Sequence, residues 1–336
     1  ILIGIKKISP NKLKKISTIV ITLAMSLSIF AGCSSGNTTT INVLNYGENI
    51  AEGLIEEFEE KYDANVNYKT FDEMEEMYIE VASGKAEYDV VLVADYMADR
   101  MIQEGLLQTL NKDNIENLSQ MSESDLGQPY DVNNDYTVPY MNGTIGIVYN
   151  KDIVKEEVDS WDIMWNEDYA KQIFVLDSQR DAIGMALKKL GYSLNTTDIN
   201  ELNEAKEALI EQRELSLTWG ADEVQDLILS GEVAIAMIWS GEGLNLAAEH
   251  ENLEYIIPKE GANYWIDSWA IPYNAKEKEM AENFINFVSG KDEAFRIADE
   301  IGYTSPNKLT IEMQDEEVRN NKFAYLKGDI LEKSEV

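Results

Sequence analysis

The chain has 336 residues, a length that favours two domains, and its 44% of hydrophobic residues is enough for a sizeable core. Its formal net charge of −34, from 28 Lys and Arg against 62 Asp and Glu, repels phosphate backbones and excludes nucleic-acid partners, whereas it attracts cationic ligands. With one cysteine and one histidine, the sequence excludes a disulfide framework and most zinc sites, and we expect neither a metal ion nor a cofactor.

Residues 1–33 have the pattern of a lipoprotein signal peptide. A basic segment from Lys6 to Lys15 precedes an apolar run at 19–30, which is too short to span a bilayer because spanning needs ~20 residues. The run ends in Phe30-Ala31-Gly32-Cys33, where small residues before a lone cysteine resemble the bacterial lipobox. We expect cleavage to leave Cys33 as a lipid-modified N-terminus, followed by a flexible tether at 34–40. The alternative is a secretory leader in which the cysteine occurs by chance.

From residue 41 onward, short apolar runs alternate with amphipathic helical segments. The predicted strands lie at 41–44, 90–93, 146–149, 173–176 and 233–238, with a further extended segment at 264–269. Because the first five are continuous apolar runs, we expect strands covered on both faces. A helical period occurs at 48–62, 182–190, 224–229 and 277–288. Strands that alternate with helices indicate an α/β fold with mostly parallel sheets.

Candidate binding residues follow the predicted strands, because ligands of such sheets lie at the carboxyl ends of the strands. These ends offer an aromatic residue, an acid or both, as in Ala94-Asp95-Tyr96, and Arg180 is the only cation among them. Carboxylates hold ammonium groups and ring faces favour positive charge, so this chemistry suits a polyvalent organic cation. Asp267 is the strongest candidate, since an acid between Trp265 and Trp269 is costly to bury without a cation.

Several segments resemble receptors for spermidine and putrescine, the solute-binding subunits of polyamine ABC importers. The segments that carry the resemblance are 88–91, 104–106, 138–140, 146–150, 185–193, 237–239, 258–261, 265–272 and 301–307, within a match that extends over 41–309. It implies a two-lobed type II periplasmic-binding-protein-like α/β fold, in which each lobe is a mostly parallel sheet flanked by helices and a hinge joins the lobes. Lobe 1 is expected at 41–143 plus 264–303, and lobe 2 at 144–263 plus 304–336, with crossings near 142–144 and 264–267.

The resemblance also implies which residues bind the amine. Asp181 replaces a glutamate that grips a terminal amine, Asp267 matches a central carboxylate, and Ser178 stands where some members carry a second aspartate. The remaining implied binding residues are Tyr46, Glu48, Tyr96, Trp239, Trp265 and Tyr303, most of them aromatic walls of the pocket. With fewer acids around Ser178, the choice between spermidine and putrescine stays open. Asn142 departs from the family pattern, in which an aromatic residue follows Pro139-Tyr140.

Some of these residues have a structural alternative. Ser178 and Asp181 fit a capping box that opens the helix at 182, although a helix N-terminus also favours an ionised carboxylate, so the two roles are compatible. Trp239 fits a core position and Tyr303 fits a packed turn.

The function that the resemblance implies is that of a receptor, not an enzyme, and no catalytic residue is assigned. It would bind a polyamine outside the cell and deliver it to the permease of an ABC importer with its ATPase subunit. The resemblance and the leader together imply a monomer, anchored by lipid to the outer face of the cytoplasmic membrane or located in the periplasm. Two alternatives stay open, a secreted acidic glycoside hydrolase with two carboxylates beside aromatic sugar platforms, and a receptor for another small organic cation.

Overall fold

The computed structural model describes residues 38–47, 49–221 and 223–336. The expected signal peptide with Cys33, the tether up to residue 37 and the candidate residue Glu48 lie outside the described residues. The strands are β1 (Thr39–Tyr46), β2 (Ala64–Phe71), β3 (Val90–Ala94), β4 (Thr137–Asn150), β5 (Ile173–Leu176), β6 (Ser216–Gly220), β7 (Ile235–Trp239), β8 (Leu253–Ile256) and β9 (Tyr264–Ala270).

The helices alternate with these strands along most of the chain. They are α1 (Leu54–Tyr62), α2 (Met74–Ser83), α3 (Asp95–Gln103), α4 (Gln179–Leu190), α5 (Ile199–Leu215), α6 (Val224–Ser230), α7 (Ser240–Glu249), α8 (Lys278–Val288), α9 (Lys291–Ile301), α10 (Lys308–Met313), α11 (Glu316–Asn320) and α12 (Asp329–Lys333). Short 3₁₀ helices occur at Lys112–Asn114, Glu116–Gln120, Trp161–Trp165 and Glu167–Tyr169.

The strands are hydrogen-bonded in the order β2-β1-β3-β9-β4-β7-β5-β6, and β8 also pairs with β4. The parallel pairings predicted from the sequence join β2, β1 and β3 at one end and β7, β5 and β6 at the other. Between them, β9 and β4 run antiparallel to their neighbours. The long strand β4 pairs with β9 as far as Thr144 and with β7 from Ile145 onward. This change of partner falls where the sequence predicted a crossing.

Within the compact unit Thr38–Val336, the hydrophobic core is divided at β4. Val138, Tyr140 and Met141 pack with buried residues from β1, β3, α1 and α8, whereas the part of β4 from Ile145 packs with β5, β7 and α6. Strand β3 is buried on both faces, as its continuous apolar run predicted, because alternate residues enter different groups: Val90 and Leu92 enter one, Val91 and Val93 the other.

Helix α1 begins later than the sequence pattern predicted. We expected a helix over 48–62, but Gly53 has a φ of 81°, in the left-handed region, and the helix starts at Leu54. A right-handed helix cannot continue through that conformation, and glycine adopts it at little cost. From there the pattern holds, since Leu54 and Phe58 are buried.

The last part of the chain contacts both halves of the core. Asn307 donates a hydrogen bond to the main-chain oxygen of Ser289, and the Thr310 hydroxyl donates to that of Lys291. These partners lie in the segment expected to form lobe 1. Farther along, Phe323 and Leu326 pack against the other core group. Between Thr310 and Phe323 the chain therefore passes from one core group to the other, and the lobe boundary expected at residue 304 stays a prediction.

Candidate functional site

Strand β9 brings together the acids that follow two different strands. In the register of β3 and β9, Ala94 lies opposite Asp267. The next residue, Asp95, accepts a hydrogen bond from the main-chain N–H of Ile266 at 3.0 Å and another from that of Tyr96 at 2.6 Å. Asp95 and the candidate residues Tyr96 and Asp267 therefore lie close to the carboxyl end of β3.

Asp95 is the residue that our choice of candidates missed. It is 3% exposed, and it directly follows a predicted strand, a position that already marked it as able to contact a ligand. We selected its neighbour Tyr96 because only that residue corresponds to a wall of the pocket in the resembling receptors. The hydrogen bond from Ile266, more than 170 residues farther along the chain, is what places Asp95 beside Asp267.

The start of α4 supplies the acid from the other half of the chain. Ser178 is the N-cap, and its hydroxyl accepts a hydrogen bond from the main-chain N–H of Asp181 at 3.4 Å, as the capping box predicted. The Asp181 carboxylate is buried and accepts from Asn263 Nδ2 at 2.8 Å and from the side chain of Trp239. Trp239 lies at the end of β7 and is only partly buried, so it borders the site.

Trp265 and Tyr303 form an aromatic pair next to these acids. Their ring centroids are 5.3 Å apart with the planes at 78°, an edge-to-face arrangement. Trp265 also contacts both core groups and lies on the backbone of β4 at Gly143, where a Cβ atom would approach the ring to 2.3 Å. Glycine at 143 is thus needed for the tryptophan to fit.

Tyr46 and Tyr303 belong to the same environment as Asp267. Burial raises the pKa of Tyr303, and the charges of Glu242 and Asp267, together with Tyr46, raise it further. Tyr46 packs edge-on against Phe71, with a centroid distance of 5.4 Å. By contrast, Trp269, two residues after Asp267 on the same face of β9, is fully buried in the core.

The three acids of the site all have raised pKa values. Burial raises the pKa of Asp267 to about 7, with further contributions from the charges of Asp95 and Asp181. Burial also raises the pKa of Asp95 and of Asp181. The hydrogen bonds from Ile266 to Asp95 and from Asn263 to Asp181 partly offset this, and the charge of Arg180 does so to a smaller extent in both. The Arg180 guanidinium itself bonds to Leu194 and Asn195. Buried carboxylates with raised pKa values mark a place where a cation would be strongly favoured.

The site thus joins most of the residues predicted from the sequence. Asp267 is electrostatically coupled to Asp181, Asp181 bonds to Trp239, and Tyr96 is coupled to Asp95 and Asp181. Ser178 is at the same place, but its hydroxyl oxygen is engaged in the cap. In the part of the chain that the structure describes, no group of three or more His, Cys, Asp or Glu residues has the geometry to hold a metal ion.

A family model described as bacterial extracellular solute-binding protein matches residues 53–322. The match covers most of the chain and includes Tyr96 and all later candidate residues. The chain belongs to the bacterial extracellular solute-binding protein family. Members of this family are solute-binding components of transporters, which is the class of protein that the resemblance implied.

Relatives within the solute-binding protein family are similar over nearly the whole chain. The spermidine/putrescine-binding periplasmic protein of Salmonella typhimurium is 35% identical over 314 residues, which are 93% of this chain and 90% of that protein. The spermidine/putrescine substrate-binding protein PotD of Streptococcus pneumoniae has 33% identity and a TM-score of 0.79, covering 89% of this chain and 93% of its own.

A third match is the PotD lipoprotein Tp0655 of Treponema pallidum, with 25% identity and a TM-score of 0.77, covering 88% of this chain and 92% of its own. These matches confirm both the resemblance and the periplasmic-binding-protein-like α/β fold expected from the sequence. Among the helices that the structure describes, none combines the length and the apolar character that crossing a bilayer requires.

Proposed function

We propose that this protein binds spermidine or putrescine outside the cell and delivers it to the permease of an ABC importer, without catalysing a reaction. The observation that carries the proposal is the coupling of Asp267 to Asp95 and Asp181, since three neighbouring acids with raised pKa values, of which Asp95 and Asp181 are buried and Asp267 is partly buried, favour a ligand with several positive charges. The polyamine-binding relatives support the same ligand class.

The site has the groups that a protonated alkylamine needs. Charge-assisted hydrogen bonds from ammonium groups to Asp181 and Asp267 would contribute ~1.5–3 kcal/mol each. The ring faces of Trp265 and Tyr303 cover methylene groups and favour positive charge, by up to ~2 kcal/mol for a desolvated contact. Together these contributions reach the ~8 kcal/mol that micromolar affinity requires, before the costs of association.

We further propose that the ligand is enclosed between two lobes. Asp95 and Asp267 belong to the half of the sheet that contains β1, β3 and β9, whereas Asp181 follows β5 and Trp239 is the last residue of β7. A polyamine that bonds to acids from both halves would favour the closed arrangement over an open one, by its differential affinity for the two. The proposed hinge is the part of β4 and β9 where pairing changes at Thr144 and Ile145.

Titration calorimetry and thermal shift with spermidine and with putrescine test the ligand. We expect saturable binding of at least one of them and a higher melting temperature, and no binding of 1,4-butanediol, which has the same carbon chain but no charge. Absence of heat and of a thermal shift at millimolar polyamine would refute the proposal. Competition with agmatine tests the rival organic cation: if a modest excess displaces spermidine completely, the natural ligand is a different amine.

The hydrolase alternative has a direct test. Activity on chromogenic glycosides that is abolished by Asp267→Asn would make the protein an enzyme and reverse the proposal.

We propose that the protein is anchored through a lipid on Cys33, and that the mature receptor is a monomer. Replacing Cys33 with Ala should move the expressed protein from the membrane fraction to the soluble extracytoplasmic fraction; retention of the variant on the membrane would contradict lipidation.

A further inference from the structure

Asn263 lies on the same side of its strand as two candidate binding residues. Its main-chain oxygen accepts from the N–H of Ile145, which extends the β4–β9 ladder by one residue beyond Tyr264. In extended backbone, side chains two residues apart point to the same face. Asn263 therefore shares a face with Trp265 and Asp267.

The two ends of the Asn263 amide have different surroundings. Nδ2 donates to Asp181 Oδ1 at 2.8 Å, and because a carboxylate only accepts, this bond determines which end of the amide is nitrogen. The residue is 6% exposed, and among the described residues no group donates to its Oδ1. Buried amide oxygens without a donor are rare in folded proteins, and this one lies beside an acid that is proposed to bind an ammonium group.

We propose that Asn263 is a further ligand-binding residue, whose Oδ1 accepts an N–H of the same ammonium group that Asp181 holds. This inference rests on the proposed function. An alkylammonium has three donors and no acceptor, so Asp181 alone leaves donors unused. The position of the second aspartate found in some similar receptors is Ser178 here, and its hydroxyl oxygen is engaged in the cap. Asn263 offers an acceptor without adding a charge to the site.

Asn263 is held in place by a short segment on its other side. The main chain of Glu335 accepts from the N–H of Tyr264 at 2.8 Å and donates to the oxygen of Ala262 at 3.1 Å, so it bonds to both neighbours of Asn263. The Glu335 side chain forms an ion pair with Lys188, which lies near the C-terminal end of α4, the helix that carries Asp181 in its first turn. Asn263 and Asp181 are thus attached to the same support, which suits a preformed pair of acceptors.

Two substitutions separate ligand binding from the positioning of Asp181. Asn263→Leu removes both the donor to Asp181 and the free acceptor, whereas Asn263→Asp keeps an acceptor but loses the donor. If Oδ1 binds the ligand, we expect Asn263→Leu to weaken polyamine affinity about tenfold or more and Asn263→Asp to stay within about threefold of the wild type, because its added negative charge repels Asp181 but attracts the cation. If Asn263 only orients Asp181, both variants lose affinity equally, which would overturn the inference.

Affinities are measured by titration calorimetry with putrescine and spermidine on the full chain, after circular dichroism has shown that each variant is folded. Asn263→Ala replaces the leucine variant if the latter does not fold, with the same expectation. Wild-type affinity for Asn263→Leu would also overturn the inference. Wild-type protein is titrated in parallel: if it binds neither amine, the proposed function itself fails, whereas wild-type binding that Asn263→Leu leaves unchanged removes only the role of Asn263.

Discussion

The carboxylate of Asp95 accepts the main-chain N–H of Ile266 at 3.0 Å, and this bond joins the acid that follows β3 to the strand that carries Asp267. Because Asp95 is also bonded to the N–H of Tyr96, it cannot turn away from Asp267 to relieve the repulsion between them. The backbone therefore holds a buried acid close to a partly buried one, and the free energy this costs is available to a ligand that neutralises them.

We expect Asp267→Asn to weaken binding strongly while stabilising the ligand-free protein. Removing one partner of a buried charge pair costs roughly 2–5 kcal/mol, so polyamine affinity should fall by at least about 30-fold.

The effect on stability follows from the pKa of Asp267, which is raised to about 7. Between about pH 4 and 7 the folded state therefore binds more protons than the unfolded state. Stability of the ligand-free wild type should therefore decrease as pH rises through this range, and the variant should show a smaller decrease, since Asp95 and Asp181 still contribute.

Thermal melts at pH 5 and pH 8 check this second effect. The ligand-free variant should melt at a higher temperature than the wild type at pH 8, by a few degrees, and the difference should shrink at pH 5. A variant that melts lower than the wild type at both pH values would show that Asp267 stabilises the fold, and that its burial is not a cost retained for binding.

Binding should release protons near neutral pH. A polyamine cation favours the ionised form of Asp267, so it lowers a pKa that is about 7 in the free protein, and affinity should rise from pH 6 to pH 8 and then level off. Asp95 and Asp181, whose pKa values burial also raises, act in the same direction, and Arg180 opposes them. The buffer takes up the released protons, and protonation of Tris releases more heat than protonation of phosphate. Calorimetry at pH 7 should therefore give a more exothermic binding enthalpy in Tris than in phosphate. Equal enthalpies in the two buffers would contradict the prediction.

Ser178 and Asp181 should separate a helix cap from a ligand contact. Ser178→Ala removes the acceptor for the Asp181 N–H, and we expect it to lower the free energy of unfolding by ~1 kcal/mol with affinity within about threefold of the wild type. Asp181→Ala removes a carboxylate from the site and should weaken affinity far more than Ser178→Ala. Denaturant unfolding and calorimetry on both variants give the comparison. Unchanged affinity in Asp181→Ala would leave that residue only its role in the cap.

Local patterns predicted the elements well where one short segment decides the outcome. The strand predicted at 173–176 is observed as Ile173–Leu176, because a continuous apolar run between polar residues has few other places to go. The predicted start of α1 at residue 48 was wrong, because the left-handed conformation of Gly53 depends on its surroundings as well as on its residue type. The antiparallel pairing of β3 with β9 joins Val91 to Ala270, and no local pattern encodes a partner at that separation.

The site was predicted to the extent that its residues follow strands or match a known receptor pattern. Asp181 and Trp239 have both signals, whereas Asp267 and Trp265 lie within a predicted extended segment and match the receptor pattern. Asp95 and Asn263 have weaker ones, since their significance lies in contacts with Ile266 and Asp181 that appear only when distant segments meet. Acids at strand ends deserve inclusion as candidates even without a match, because a buried acid at such a position needs a partner.

Trp265→Ala should weaken polyamine affinity more than Trp265→Phe does. The alanine variant loses the ring face and leaves space beside Gly143, whereas phenylalanine keeps a smaller ring with a weaker attraction for cations. We expect a loss of roughly tenfold to 30-fold for alanine, from a cation–π contact of up to ~2 kcal/mol, and an intermediate loss for phenylalanine. Calorimetry with spermidine measures both. If the two variants lose affinity equally, the tryptophan acts through its shape and not through its attraction for positive charge.

The ion pair of Lys188 with Glu335 should contribute to stability much more than the exposed pairs do. The Lys188 side chain is 8% exposed, so Glu335→Gln leaves a buried ammonium group without its counter-charge, and we expect the free energy of unfolding to fall by on the order of 2 kcal/mol. Burial opposes ionisation of Glu335, but its bonds to Lys188 and Ser193 lower its pKa, so this contribution is present above about pH 4.5 and is lost as pH falls further. Glu104→Gln is the matched control, because the pair of Arg100 with Glu104 is exposed and screened by solvent, so its loss should lower the free energy of unfolding much less. Denaturant unfolding at pH 7 and pH 4 measures both variants, and equal losses at pH 7 would show that burial does not strengthen the dependence of Lys188 on its partner.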